Sequence, residues 1–421
     1  MSADLGSGTV LSGMPGRTHT RAAVVIGSFL ALCVTPLAVV GQTIGLFVGP
    51  VTHEFGWSRA SFILGPSIAG LICGLIFPFL GMLGDRVGLR PVLFGGIAIF
   101  GLSLMAMSQL NGSVGGYLVL SIIMSVAGLV QTTVLYAKAI SGWFADRRGL
   151  MLSIAVSGTG VGSILMPLFT NSLIQSVGWR GAYIGLGAAV ILIAAPSVFF
   201  LVHEAPFEPD TQQAAPVATN EGMSFREACR TPAYWCLMLF LFTSNAALWS
   251  LVTNLAPILT NKGLDLTTAA AAMSALGVSQ TIARLFSGLV LDWTSQPRVA
   301  AFWYFLATAG GILLAFTHSP AMAISAGLLI GAAWGAENEL AAYFTSRYFG
   351  FRDYGLILGT FFAGFSLGAM SLGFLTAHLF DVSGSYGFAL MIVTSCLALS
   401  CLFAMLLAPY RFTKSGIALP R

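Results

Sequence analysis

Apolar residues run along this chain in stretches of about 20, separated by short breaks rich in Gly, Pro, Arg and Asp, and the pattern repeats from residue 21 to residue 409. At ~1.5 Å of rise per helical residue, each stretch matches the ~30 Å hydrocarbon core of a bilayer. The runs predict helices over 21–52, 58–83, 91–108, 114–142, 149–175, 180–203, 233–262, 267–291, 298–317, 319–345, 354–380 and 384–409. One break differs in kind. Residues 204–232 contain Glu204, Pro206, Glu208, Pro209, Asp210, Gln212 and Gln213, a composition that stays solvated. The expected organisation is an all-α, polytopic membrane protein of twelve transmembrane helices in two six-helix repeats. It comprises an N-terminal tail (1–20), a first bundle (21–203), a linker (204–232), a second bundle (233–409) and a C-terminal tail (410–421).

Composition agrees with lipid as the main solvent. Apolar residues make up 57% of the 421 and charged residues only 8%, where soluble domains average about 25% charged. The first apolar run, beginning near Ala22, is too long for a signal-peptide core and no small-residue cleavage site follows it, so it is expected to stay as a span. The six cysteines show no metal-ligand spacing and are expected to pack. With both termini inside, fourteen Lys and Arg fall in cytoplasmic segments and three (Arg59, Arg180, Lys262) outside, which predicts cytoplasmic ends. The basic residues form no stripe, so nucleic acid is not an expected partner. No Gly-rich loop carries a Walker-type Lys-Ser/Thr, so neither a nucleotide nor another cofactor, nor a metal, is expected.

The two halves resemble each other at a nearly constant offset. Gly81 and Asp85 recur as Gly288 and Asp292; Gly158 and Gly162 recur as Gly364 and Gly368; Phe144 before Arg147 and Arg148 recurs as Phe349 before Arg352. Duplicated six-helix units are one way transporters are built around a central site.

Gly81-Met82-Leu83-Gly84-Asp85-Arg86-Val87-Gly88-Leu89-Arg90 is similar to the signature loop of the major facilitator superfamily. With the linker and the weaker copy at Gly288 to Asp292, that resemblance covers the whole chain. A narrower one, to the monocarboxylate and oxalate–formate transporter branch, rests on Glu54-Phe55-Gly56-Trp57-Ser58-Arg59, on Trp143 to Gly149, on Arg284 eight residues before Asp292, and on Glu337-Asn338-Glu339 leading to Arg347-Tyr348-Phe349-Gly350. The branch implies carriage of organic acids, with the arginine of the eighth span binding the substrate carboxylate. Two departures matter. The oxalate–formate exchangers have a lysine in the eleventh span that 354–380 lacks, which argues against dicarboxylate exchange; and Asn254, three residues before Pro257, stands where related sequences often have histidine.

Four charges fall inside predicted spans: Lys138, Arg284, Glu337 and Glu339. Each costs at least ~2.5–3.5 kcal/mol in a bilayer and needs a partner or an aqueous cavity. Arg284 lies about 12 Å above the loop at Asp292, and its planar, permanently charged fork suits a carboxylate. The competing reading is an internal ion pair with Glu337 or Glu339. Those two glutamates lie at similar depth and point ~200° apart, so one faces a cavity more readily than the other. They are the candidate proton carriers, or else structural partners of Arg284. Lys138 sits near the inner end of its span and can snorkel. Gln42, Gln131, Tyr136, Asn254, Gln280, Asn338 and Tyr343 are candidate substrate contacts, each equally suited to holding helices together. Asp85, Arg86, Arg90, Asp146, Arg147, Arg148 and Asp292 are candidate gating charges at the inner face, where carboxylates can meet arginines or helix N-termini across the halves.

The expected function is secondary transport of a small organic anion, a monocarboxylate with room for an aromatic one, through the inner membrane by a monomer working with a proton. Export of drugs or metabolites is the second reading, although a carrier of lipophilic cations should lack a cavity arginine. A non-transporting sensor of organic acids is the third. The chain is not expected to be an enzyme.

Overall fold

A computed structural model of the protein describes residues 15–144, 148–202, 222–293, 298–350, 352–407 and 410. Among the described residues the chain is helical with no strand; Gly222 and Gly350 form an isolated bridge. Twelve passes follow the expected order. The first is α1 (Pro15–Cys33), a π turn at Leu37–Gly41 and α2 (Ile44–Phe55); α3 (Arg59–Val87) and α4 (Leu89–Met107) follow. The fourth pass is α5 (Val114–Gly128), a 3-10 turn and α6 (Thr133–Trp143). Then come α7 (Arg148–Pro196), the short α8 (Phe225–Cys229), α9 (Pro232–Asn261), α10 (Leu266–Trp293), α11 (Val299–Ala315), α12 (Pro320–Phe349), α13 (Tyr354–Ser383) and α14 (Gly387–Leu406).

Several passes differ from the smooth helices that the apolar runs predict. The first begins at Pro15, earlier than residue 21, and is interrupted beside Pro36, whose missing N–H removes a rung of the helix ladder. The fourth breaks at Thr132, which is extended. Between the fifth and sixth passes there is no loop at all. Gly178 alone, at φ 73°, turns α7 sharply within otherwise continuous helix, a conformation that glycine adopts without steric cost. The segment expected to be linker also contains α8. Its Ser224 and Glu227 form a capping box, its Phe225 N–H donates to Asp353, and the Met223 N–H donates to the Phe349 carbonyl, so this end of the linker docks on the second half.

Polarity is distributed as a lipid-facing protein requires. Leu192, Phe199, Phe200, Phe302, Phe305 and Phe316 are exposed, whereas Gln42, Gln131, Asn254, Gln280 and Glu337 are buried. Among the described residues, seven helices are long and apolar enough to cross a membrane. The apolar core falls into two clusters, one drawn almost wholly from 24–202 and the other from 228–410. Without a hydrophobic drive between helices in lipid, packing depends on close backbone approach at small residues. On α12, Gly327, Gly331 and Gly335 lie against the carbonyls of Ala272, Leu276 and Gln280 on α10, and a Cβ on any of them would stand 2.2–2.3 Å from that oxygen. The duplicated glycines repeat the device: Gly158 and Gly162 of α7 abut the carbonyls of Phe29 and Cys33 on α1, and Gly368 of α13 abuts Phe242 on α9.

At the end of the first half remote from the linker, Glu54 accepts from the Trp179 indole at 2.6 Å and pairs with Arg180, whose guanidinium also donates to the Leu110 carbonyl. These bonds from Arg180 and then Trp179 hold the Glu54 carboxyl below its ordinary value of 4.5. A carboxyl depressed in the folded state stabilises the protein above its unfolded pKa, and that contribution disappears as pH falls. The melting temperature in detergent should therefore fall more steeply below pH 4.5 for the wild type than for Glu54→Gln; parallel curves would remove the role. Gly331→Leu should cost ~1–3 kcal/mol or more by overpacking, read as a drop of several degrees in melting temperature, while Gly70→Leu, where a Cβ meets nothing within 4 Å, should not.

Candidate binding sites between the halves

The halves are tied together at the end of the bundle remote from the linker. The first N–H groups of α3, on Arg59 and Ala60, donate at 3.0 and 2.8 Å to the two carboxylate oxygens of Asp381, near the end of α13. An anion at a helix N-terminus meets unsatisfied donors and the positive end of the dipole. The Arg59 guanidinium donates to the Tyr386 hydroxyl at 2.6 Å and lies 3.8 Å over the Phe380 ring. Nearby, Asn171 and Gln175 on α7 donate to Thr267 at the start of α10. Deeper in, Ser274 donates to the Ile164 carbonyl, and Gln42 donates to Gln280 at 2.9 Å.

Two cavities lie among these helices, and they differ in charge. One, about 370 Å³, is lined by α7 and α10: Ser153, Thr159, Gly160 and Ser163 on one side, Gln280, Thr281 and Arg284 on the other. Arg284 Nη1 lies 3.5 Å from Thr159 Oγ1 in the opposite half. The other, about 430 Å³, is walled by α3, α9, α12 and α13 with Leu129 from the fourth pass. Its wall includes Ser67, Cys73, Asn245, Trp249, Trp334, Glu337, Phe362, Phe365 and Met370. Glu337 is 3% exposed and accepts from the Ser244 hydroxyl at 2.7 Å and the Asn245 amide at 3.1 Å.

The expected contacts are therefore divided. Arg284 and Gln280 share the smaller cavity, and Gln42 reaches it through Gln280. Glu337 faces the larger cavity and is held by Ser244 and Asn245, so it is not the partner of Arg284 that its depth suggested. Asn254 donates to Ser250 and Thr253 of its own helix, and the buried Tyr136 hydroxyl has no hydrogen-bond partner among the described residues; neither lines either of these two cavities. Tyr343 lies toward the inner end of α12, beside Arg347 and Tyr410, away from both. Of the gating candidates, Arg90 donates to the Phe199 and Val202 carbonyls in its own half. It satisfies the open C-terminal end of the sixth pass rather than crossing to the other half. The side chains of Asp85, Arg86, Lys138, Arg148, Asp292, Asn338 and Glu339 lie outside the described ones, as do Asp146 and Arg147 altogether.

Glycine packing supplies one further relation. The pairs 327/272, 331/276 and 335/280 share one register, and the next step of four brings backbone position 339 level with Arg284. Residues that sequence reasoning missed include Ser67, Asn245, Trp249 and Asp381. The adjacent polar pair Ser244-Asn245 in the apolar seventh run was a usable signal for the partners of Glu337. Nothing local marks Asp381.

The sequence profile of the Major Facilitator Superfamily matches residues 28–370. The chain belongs to that superfamily. It is 22% identical to the uncharacterized MFS-type transporter YhjX of Escherichia coli, the match covering 77% of each chain. It is 29% identical to the oxalate:formate antiporter of Oxalobacter formigenes over 58% of this chain and 55% of that one. To monocarboxylate transporter 13 of Bos taurus it is 24% identical, over 78% and 75%. Among solved structures it resembles the nucleoside transporter NupG, with a TM-score of 0.73 at 15% identity, covering 92% of this chain and 99% of the other. These structural likenesses bear on the fold of this superfamily member. Its resemblance to the oxalate:formate antiporter and the monocarboxylate transporters matches the narrower branch that the motifs suggested.

The contacts of Asp381 should hold this end of the bundle shut, so Asp381→Ala should expose a cysteine placed at Thr253 to a membrane-impermeant thiol reagent added from that side. Asp381→Glu should expose it less; equal labelling of wild type and Asp381→Ala would dismiss the clasp.

Proposed function

We propose that this superfamily member is a secondary transporter of a small organic anion, a monocarboxylate, driven by alternating access and coupled to a proton. The observation that carries the reading is Arg284, a guanidinium at mid-span lining a cavity with residues of both halves. Such a group offers a carboxylate two parallel hydrogen bonds in a site screened from water. The printed activities of the relatives, oxalate–formate antiport and monocarboxylate transport, support the same class. The protein works as a monomer in the inner membrane with both termini in the cytoplasm, and has no enzymatic activity. Asp85, Arg86, Asp146, Arg147, Arg148 and Asp292 serve the inner gate. Because Glu337 has other partners, the carboxylate to couple with Arg284 is Glu339, whose backbone position is level with it. When substrate occupies the arginine, that carboxylate loses a countercharge and takes a proton, so the two events are linked reciprocally.

Uptake into proteoliposomes of a panel of labelled aliphatic and aromatic acids, with and without a pH gradient, tests the reading. Arg284→Ala should abolish uptake and Arg284→Lys should reduce it at least tenfold, both proteins still reaching the membrane. Glu339→Gln should keep exchange and lose gradient-driven accumulation. Wild-type uptake by Arg284→Ala would sink the assignment. Accumulation by Glu339→Gln under a pH gradient alone would remove only the coupling.

A further inference from the structure

The larger cavity has the wrong chemistry for an anion. Its one carboxylate, Glu337, is buried and held by two neutral donors, Ser244 and Asn245. Among its lining residues there is no Lys, Arg or His, and Arg284 belongs to the wall of the other cavity. A carboxylate taken out of water without a countercharge is strongly unfavourable. Next to it stand Trp249 and Trp334, stacked with ring centroids 5.7 Å apart, and both line the cavity. Indole faces attract cations, and the attraction grows when the cation is desolvated. On the first half's side of the same cavity, the Ser67 hydroxyl is buried with no hydrogen-bond partner among the described residues. Buried polar groups are normally paired, and Ser67 stands in the cavity wall. The remaining wall, with Leu129, Phe362, Phe365 and Met370, suits an apolar body, and about 430 Å³ lies in the range of small-molecule pockets.

We propose that this cavity binds an organic ammonium group carried on an apolar or aromatic body, with Glu337 as its counter-ion and Trp249 and Trp334 as its π faces. The site is distinct from the anion site at Arg284 and opposite to it in sign. The ammonium comes either from a simple amine or from the amino group of an amphoteric molecule.

Three related probes separate these sources: radiolabelled phenethylamine, phenylalanine and 3-phenylpropionate, each titrated onto the purified full-length protein in detergent. Binding of phenethylamine identifies a simple amine as sufficient; binding of phenylalanine without phenethylamine identifies the amphoteric source. In either case Glu337→Gln should weaken the bound amine at least tenfold, while Glu337→Asp should keep it within about threefold of wild type. Gly70 lines the cavity and has open space where a Cβ would stand, so Gly70→Leu should fill the cavity and abolish binding with the melting temperature unchanged. That variant keeps the test decisive even where a change at Glu337 disturbs folding. The proposal is overturned by failure of both amines to bind the wild type, by unchanged amine affinity in Gly70→Leu or in a folded Glu337→Gln, or by displacement of the bound amine only by 3-phenylpropionate. Loss of the ammonium site would leave acid uptake through Arg284 untouched, and loss of that uptake would leave amine binding to be read on its own.

Discussion

Everything in this protein depends on helices coming within touching distance of each other's backbones in a solvent that gives them no hydrophobic reason to do so. In lipid the drive comes from van der Waals contact and interhelical polar bonds, and glycine is what lets carbonyls and backbones meet. The ridge Gly327, Gly331 and Gly335 on α12 locks it to α10, and Gly158 and Gly162 lock α7 to α1. Because these contacts repeat every four residues, they set register as well as distance. Register in turn decides which polar side chains stand at the same depth.

The outcome is a separation of charge by cavity. Arg284 occupies a small polar cavity between α7 and α10, beside Thr159 and Gln280. Glu337 occupies a larger, mostly apolar one, bonded among the described residues to Ser244 and Asn245. Had the two met, their mutual attraction would have repaid much of the desolvation of both. The structure instead sets them in the walls of different cavities.

The sequence made the fold legible because its information was local and repeated. Twelve apolar runs and the duplicated glycines mapped onto the helix order, since span length is imposed by bilayer thickness. Arg284 and Gln280, four apart on one helix, were legible as one face for the same reason. Pairings between helices were not. Depth alone put Glu337 beside Arg284, but direction around the helix turned it toward α9. Tyr343 reads as a span residue, yet it sits with Arg347 and Tyr410 near the inner end. Arg90, part of the signature loop, satisfies carbonyls at the end of the sixth pass, a use that depends on where a helix more than 100 residues later stops. The union of Asp381 with the start of α3 spans the length of the chain and leaves no trace in either local segment.

The glycine turn at Gly178 has a mechanical meaning. With no connecting loop, the fifth and sixth passes meet at a single glycine corner, and the slack of a loop is absent. The fifth pass carries Gly160 and Ser163 against α10, so it feels the second half directly. The far end of the sixth pass is held by Arg90 at the head of α4. Three passes of the first half are thereby linked through one glycine joint and one arginine clasp, a short path from the interface with α10 to the opposite end of the sixth pass.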